Sequence, residues 1–175
     1  MAKTTEKLTS GQPIDLIIDQ RSAGIGLGVL FIGGLEYVWG RAPHSSHLGK
    51  LVHHWLGQDT CTYSIFGPLG NYLPDFIHPF GCICLTLAAL PNAGPVLKRT
   101  VCAFWLLFNV AFELGQHYGR VLDEMIHAAF PQGILTTALA DFFHCGTFDP
   151  GDLIAILMGT VSAYGLHQRW STTRD

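Results

Sequence analysis

The chain has 175 residues, enough for one compact domain. Hydrophobic residues make up 49% and charged residues only 13%, about half the charge of a typical soluble domain, which argues against one. A net charge of −3 with no Lys/Arg-rich tract excludes an electrostatic footprint for nucleic acid.

Residues 1–21 are polar and show no apolar run ending in small residues, so no cleavable signal peptide is expected and they form an N-terminal segment. Four apolar stretches follow, at about 22–40, 74–91, 101–119 and 151–168. Each is near the ~20 residues a hydrocarbon core requires, and they predict an all-α, integral membrane four-helix bundle. One such run alone could be the core helix of a soluble protein. Four of them leave too few amphipathic helices to cover them.

Within the first stretch Gly24 and Gly28 form a G-x-x-x-G pair, the spacing that lets a second helix approach closely. Glu36, late in the same stretch, is expected to reach out to the surface. The loop 41–73 carries His44, His47, His53, His54 and Cys61. Pro74 and Asp75 read as a helix start, with His78 one turn later. Asn92, Gly94 and Pro95 mark a tight turn. In the loop 120–150, DEMIHAAF and ILTTALADFFHC have helical spacing but are too short to span, which suits surface-lying or re-entrant helices. At GTFDPGD, Asp149 is placed to cap the last helix, with Pro150 first and Asp152 third.

Lys3, Lys7, Arg21, Lys98, Arg99, Arg169 and Arg174 all fall on the termini or the 92–100 turn. By the positive-inside rule these segments are cytoplasmic, residues 169–175 being a cytoplasmic tail, and both long loops face outwards. Cys61 and Cys145, one in each outward loop, are candidates for a disulfide there; Cys82, Cys84 and Cys102 lie in spans as small apolar residues.

Because successive spans alternate in direction, Glu36, Asp75, His78, Glu113, His117, Arg120, Asp149 and Asp152 fall towards one outward-facing layer. Ionisable groups at that depth mark either a functional site or a pairing network. On the third span Asn109, Glu113, Gln116, His117 and Arg120 follow helical spacing and predict a single polar face. Lipid cannot satisfy such a face, so it points into the bundle or at a partner. Partners open to Glu113 are His78, Asp75, Arg120 or a cationic ligand; interhelical hydrogen bonding and ligand binding both remain open for Glu113, Gln116 and Asp152.

His44, His47, His53 and His54 are the metal candidates the loop offers, but His44 and His47 lack a matching Cys or carboxylate set and no His pair has the i, i+4 spacing of a zinc motif. Two His on facing helices could bind haem axially, yet neither metal nor haem is expected. No Ser-His-Asp order, nucleophile elbow, P-loop or dinucleotide fingerprint is present, and no catalytic set is assigned.

Three segments in order give the chain a resemblance to a known family. NYLPDFIHPFG (71–81), FELGQ (112–116) and GTFDPGDLIAILMGTVSAY (146–164) resemble the acidic segment, the E-x-x-Q motif and the closing aromatic-Asp turn of VanZ-like small bacterial membrane proteins. Ile156 stands where that family often has Asn, and the first loop is longer than in its compact members. The resemblance implies a four-span domain over 22–168, a bacterial inner-membrane location, and Glu113, Gln116, Asp149 and Asp152 as polar signature residues, with Asp75 and His78 beside them. Two functions follow as expectations: a non-catalytic accessory subunit packed against a larger membrane complex, or an envelope protein whose outward polar cleft binds a lipid head group or cell-wall intermediate. Membrane lipid is the expected bound molecule in either case.

Overall fold

The computed structural model describes residues 18–39, 67–131 and 133–172. Among them are six α-helices and no strand: α1 (Gln20–Trp39), α2 (Leu73–Ala88), α3 (Pro95–His117), α4 (Gly119–Ala129), α5 (Ile134–Cys145) and α6 (Pro150–Thr172), with a 3-10 turn at Gly67–Asn71 before α2. The chain is all-α. Each of the four predicted spans falls on one of the long helices α1, α2, α3 and α6.

Local chemistry sets the helix ends. The Asp19 carboxylate accepts the Arg21 N–H at 3.3 Å and the Ser22 hydroxyl at 2.8 Å, capping α1. Pro74 and Asp75 sit in the first turn of α2, and Pro95 opens α3. The third span was expected to run to 119, but α3 stops at His117. Tyr118 then breaks the helical backbone (φ −105, ψ 23) before α4 begins at Gly119.

Among the described residues one helix, α3, is long and apolar enough to cross a membrane. Of the other predicted spans, α2 ends at Ala88 rather than 91 and has 16 residues, a rise of about 24 Å against a hydrocarbon core of about 30 Å. Along its 23 residues α6 carries Asp152, Thr160, His167, Gln168 and Arg169, which dilute its apolarity.

The central helix is α2, with α1 and α6 packed along it and α3 leaning on both α2 and α6. Ile83, Cys84 and Leu87 of α2, Val101 and Cys102 of α3 and Ala163 of α6 form the main core. Glycines set the closest approaches. A Cβ on Gly26 would come within 3.0 Å of the Gly81 carbonyl, and one on Gly159 of α6 would collide with the backbone of Phe76. Gly24 and Gly28, the pair singled out by spacing, face open space. The buried side of α1 instead runs through Ser22, Gly26, Gly33 and Glu36, offsets of four, seven and three residues that keep one helical face. Glu36 is on that face and only 5% exposed, so it does not reach out to the surface as expected.

The two short helices pack on each other and on α3. Ile126 of α4 and Ala140 and Phe143 of α5 make a second small core, backed by Phe112 and Leu122. Gly115 and Gly119 abut Phe143, so the junction of α3 and α4 packs closely on α5.

Candidate functional site

The polar residues gather where α3 ends and α2 and α6 begin. Asp149 stands immediately before α6 and its Oδ1 accepts the Gly151 N–H at 2.8 Å, the cap predicted from spacing. Its Oδ2 accepts the Tyr72 hydroxyl at 3.2 Å, which ties the start of α2 to the start of α6. Its own N–H donates to Glu113 Oε1 at 3.3 Å, and the Asp152 carboxylate stands close to that of Glu113. Glu113 is 3% exposed. Gln116, one turn further along α3, lies against Gly146, and the Tyr72 ring lies against Gly151.

Chemically this is a clamp of three helix ends. Glu113 spends its carboxylate on the N-terminus of α6, where a negative charge also favours the helix dipole. Neither His78, Asp75 nor Arg120, the partners foreseen for Glu113, fills that place.

A second polar node sits one turn lower. His78 Nδ1 and Asn109 Oδ1 are 2.8 Å apart, and the Asn109 amide donates to the Trp105 carbonyl at 2.7 Å. Since the Asn109 oxygen can only accept, the proton in this bond belongs to His78 Nδ1. Trp105 Nε1 donates to Thr86 Oγ1 at 3.0 Å, and Thr86 in turn donates to the Cys82 carbonyl at 2.8 Å. Asn109 is buried, while the His78 ring is exposed on the flank between α2 and α3.

The predicted stripe therefore divides. Asn109, Glu113 and Gln116 face inwards, but His117 is exposed, its ring edge-on to Tyr118 and Phe148 at 4.9 and 5.5 Å. Arg120 is exposed on α4, beyond the break at Tyr118, and shares no face with Glu113. Asp75 lies in the first turn of α2. His44, His47, His53, His54 and Cys61 lie outside the described residues, as does the pairing of Cys61 with Cys145. Among the described residues no group of three His, Cys, Asp or Glu side chains could hold a metal ion.

Sequence reasoning overlooked two contributors. Tyr72 was part of a quoted segment, yet nothing in its spacing distinguishes it from a membrane-interface aromatic. Asp123 is the other: it meets His127 at 2.9 Å and His144 at 3.3 Å, joining α4 to α5. That link is solvent-facing and contributes little to stability.

Comparison of the chain with protein-family models, with curated proteins and with solved structures returns no match.

Two expectations follow from the clamp. Asp149→Ala removes the α6 cap and the acceptor of Tyr72, and should cost about 1–2 kcal/mol, read as a lower Tm of the detergent-solubilised protein. Asp149→Asn keeps one carbonyl oxygen for the Gly151 N–H but puts an NH2 where Oδ2 accepted the Tyr72 hydroxyl, so its Tm should fall between those of the wild type and Asp149→Ala. The Asp149 carboxylate also holds the Tyr72 phenol above its ordinary value of 10.0, first by its charge and then by the hydrogen bond. A raised folded-state pKa means the contribution is complete below the unfolded value and fades as pH climbs through the folded one. Absorbance titration of wild type minus Tyr72→Phe should show a late-ionising phenol, and Asp149→Asn should move it back down.

Proposed function

We propose that the chain is a small multi-pass protein of a bacterial inner membrane, both termini cytoplasmic, acting as a non-catalytic subunit beside a larger membrane complex. Support for the membrane setting comes from α3, whose apolar window is only 17% buried within the chain. Phe104 and Leu107 are 57% and 66% exposed, and Phe31 of α1 and Ile154 of α6 are exposed to a similar degree. Hydrocarbon suits such faces.

The exposed His78 ring carries the subunit reading. An imidazole on an apolar flank is costly against lipid, whereas a partner's helix can cover it with polar company. Its tautomer is already fixed by Asn109, so the flank is set to meet a defined neighbour. The carboxylates of the clamp are engaged in fastening helices, which agrees with a part that carries out no chemistry of its own.

Extraction of the native protein in mild detergent tests this. Co-migration with a large assembly at fixed stoichiometry is expected, and His78→Leu should weaken it. A chain that migrates alone under the gentlest extraction overturns the subunit reading.

One observation favours the VanZ-like alternative. The three segments that carry the resemblance, distant in sequence, contribute Tyr72, Glu113 with Gln116, and Asp149 with Gly146 to the same cluster. On that reading the cluster is the rim of a polar site for a lipid head group or cell-wall intermediate.

A further inference from the structure

At the pole where α3 starts and α6 ends, away from the Glu113 cluster, a cation and a phenol meet with no acid between them. Arg99, in the second turn of α3, donates its Nε–H to the Tyr164 hydroxyl of α6 at 3.4 Å. Gln168, one turn further along α6, donates its amide N–H to the same oxygen at 2.7 Å. Tyr164 is half-buried and Arg99 is exposed.

A phenol donates as well as accepts. With Arg99 and Gln168 both donating to its oxygen, Tyr164 has to send its own O–H elsewhere, and no acceptor for it is found among the described residues. Arg99 is in a similar position. Its side chain meets only a neutral phenol, so among the described residues no carboxylate offsets its charge and its terminal Nη groups keep their donors. A planar charged fork beside a second donor suits the oxygens of a phosphate.

Location decides what carries that phosphate. Arg99 lies near the first end of α3, the helix long and apolar enough to cross a membrane. Basic and aromatic side chains at such ends sit at headgroup level. Deeper along α6, Val161, Leu157 and Ile154 follow Tyr164 at offsets of three, four and three residues, which keeps one helical face. They are 57%, 48% and 64% exposed. An acyl chain can lie along this face below a headgroup held at Tyr164, whereas a free phosphate leaves it bare.

We propose that Arg99 and Tyr164 hold the phosphate of an anionic phospholipid, with an acyl chain lying along Val161 and Leu157. The unmatched charge of Arg99 favours a headgroup with net negative charge over a zwitterionic one. The inference rests on the membrane reading.

The test is native mass spectrometry of the full chain, purified from vesicles containing equal parts phosphatidylglycerol and phosphatidylethanolamine. A retained lipid enriched in phosphatidylglycerol is the expected result. Arg99→Gln should lower its retention about tenfold, the effect of one lost charge-assisted hydrogen bond. Arg99→Lys keeps the charge but not the fork, so retention falls while the preference for phosphatidylglycerol survives. Tyr164→Phe removes the O–H donor and should also lower retention. Arg120→Gln, an exposed arginine at the far pole, should match the wild type. Arg99 is on the surface, so its variants should keep the wild-type Tm and a lost lipid reads the site rather than the fold.

Equal retention by Arg99→Gln and wild type, or no headgroup preference in the wild type, overturns the proposal. So does a loss in Arg120→Gln as large as in Arg99→Gln, which would mark a general attraction of lipid to basic side chains. If glycerophosphoglycerol without acyl chains binds as tightly as the lipid, the ligand is a soluble phosphodiester and the lipid assignment fails. Failure of the membrane reading shows independently, as release of the chain from membranes by alkaline carbonate.

Discussion

Gly159→Val is expected to stop the chain from assembling, while Gly28→Val leaves it intact. At Gly159 the α6 backbone lies against the Phe76 carbonyl of α2, and any Cβ placed there collides with main chain rather than with a flexible side chain. Relief requires α6 to move away from α2. That motion separates the Asp149 clamp from Tyr72 and opens the core around Ile83 and Ala163. Overpacking of this kind costs about 1–3 kcal/mol when neighbours can yield, and more when backbone must move. Gly28 has nothing within 4 Å of its virtual Cβ, so a side chain there meets only the surroundings of the bundle. Both substitutions also replace a helix-destabilising Gly, which works in favour of folding by a few tenths of a kcal/mol. The comparison therefore isolates packing. Size-exclusion profiles and Tm values in detergent should show Gly159→Val aggregated or sharply destabilised and Gly28→Val unchanged. Matched behaviour of the two variants would mean that α2 and α6 do not meet as described.

That pair of glycines also shows how much of the fold was legible in the sequence. Apolar runs and turn residues located all four long helices, and the Asp149–Pro150 pair located the start of α6 to the residue. Helix contacts were harder to read. Gly24 and Gly28 had the familiar spacing but point outwards, whereas Gly26 and Gly81, on different helices, make the close approach. A spacing motif reports only that a helix face is smooth. Which face is covered depends on the partner's side chains, here Leu85 and Ile77 of α2. Glu36 was misplaced for the same reason: its depth was judged from distance along the helix, not from the face it shares with Gly26 and Gly33.

The candidate site was legible in composition and illegible in connectivity. Glu113 and Asp149 were both singled out, yet their link runs through a main-chain N–H, which carries no side-chain signature. Arg120 was assigned to the stripe because helical periodicity was extended past Tyr118. The break at Tyr118 lies where Gly115 and Gly119 close on Phe143, a contact between segments more than twenty residues apart in the chain.

Glu113 provides the second large effect, and it separates the two functional readings. Replacing it with Leu removes the acceptor of the Asp149 N–H inside the bundle, 36 residues away in sequence. A buried backbone donor left without a partner costs about 1–3 kcal/mol, and Asp152 loses its neighbour as well. Glu113→Leu should therefore fall clearly below the wild type in Tm and in the amount of assembled protein. Glu113→Gln keeps a carbonyl oxygen facing the Asp149 N–H, so that contact persists and stability should change little. If Glu113 serves only as a clamp, the Gln variant also retains the co-migrating complex and any cellular phenotype of the chain. If the carboxylate is part of a polar site for a headgroup or cell-wall intermediate, Gln preserves the fold but abolishes the phenotype, since the charge itself is then required. A Leu variant as stable as the wild type would contradict both readings, because each depends on Glu113 meeting the start of α6.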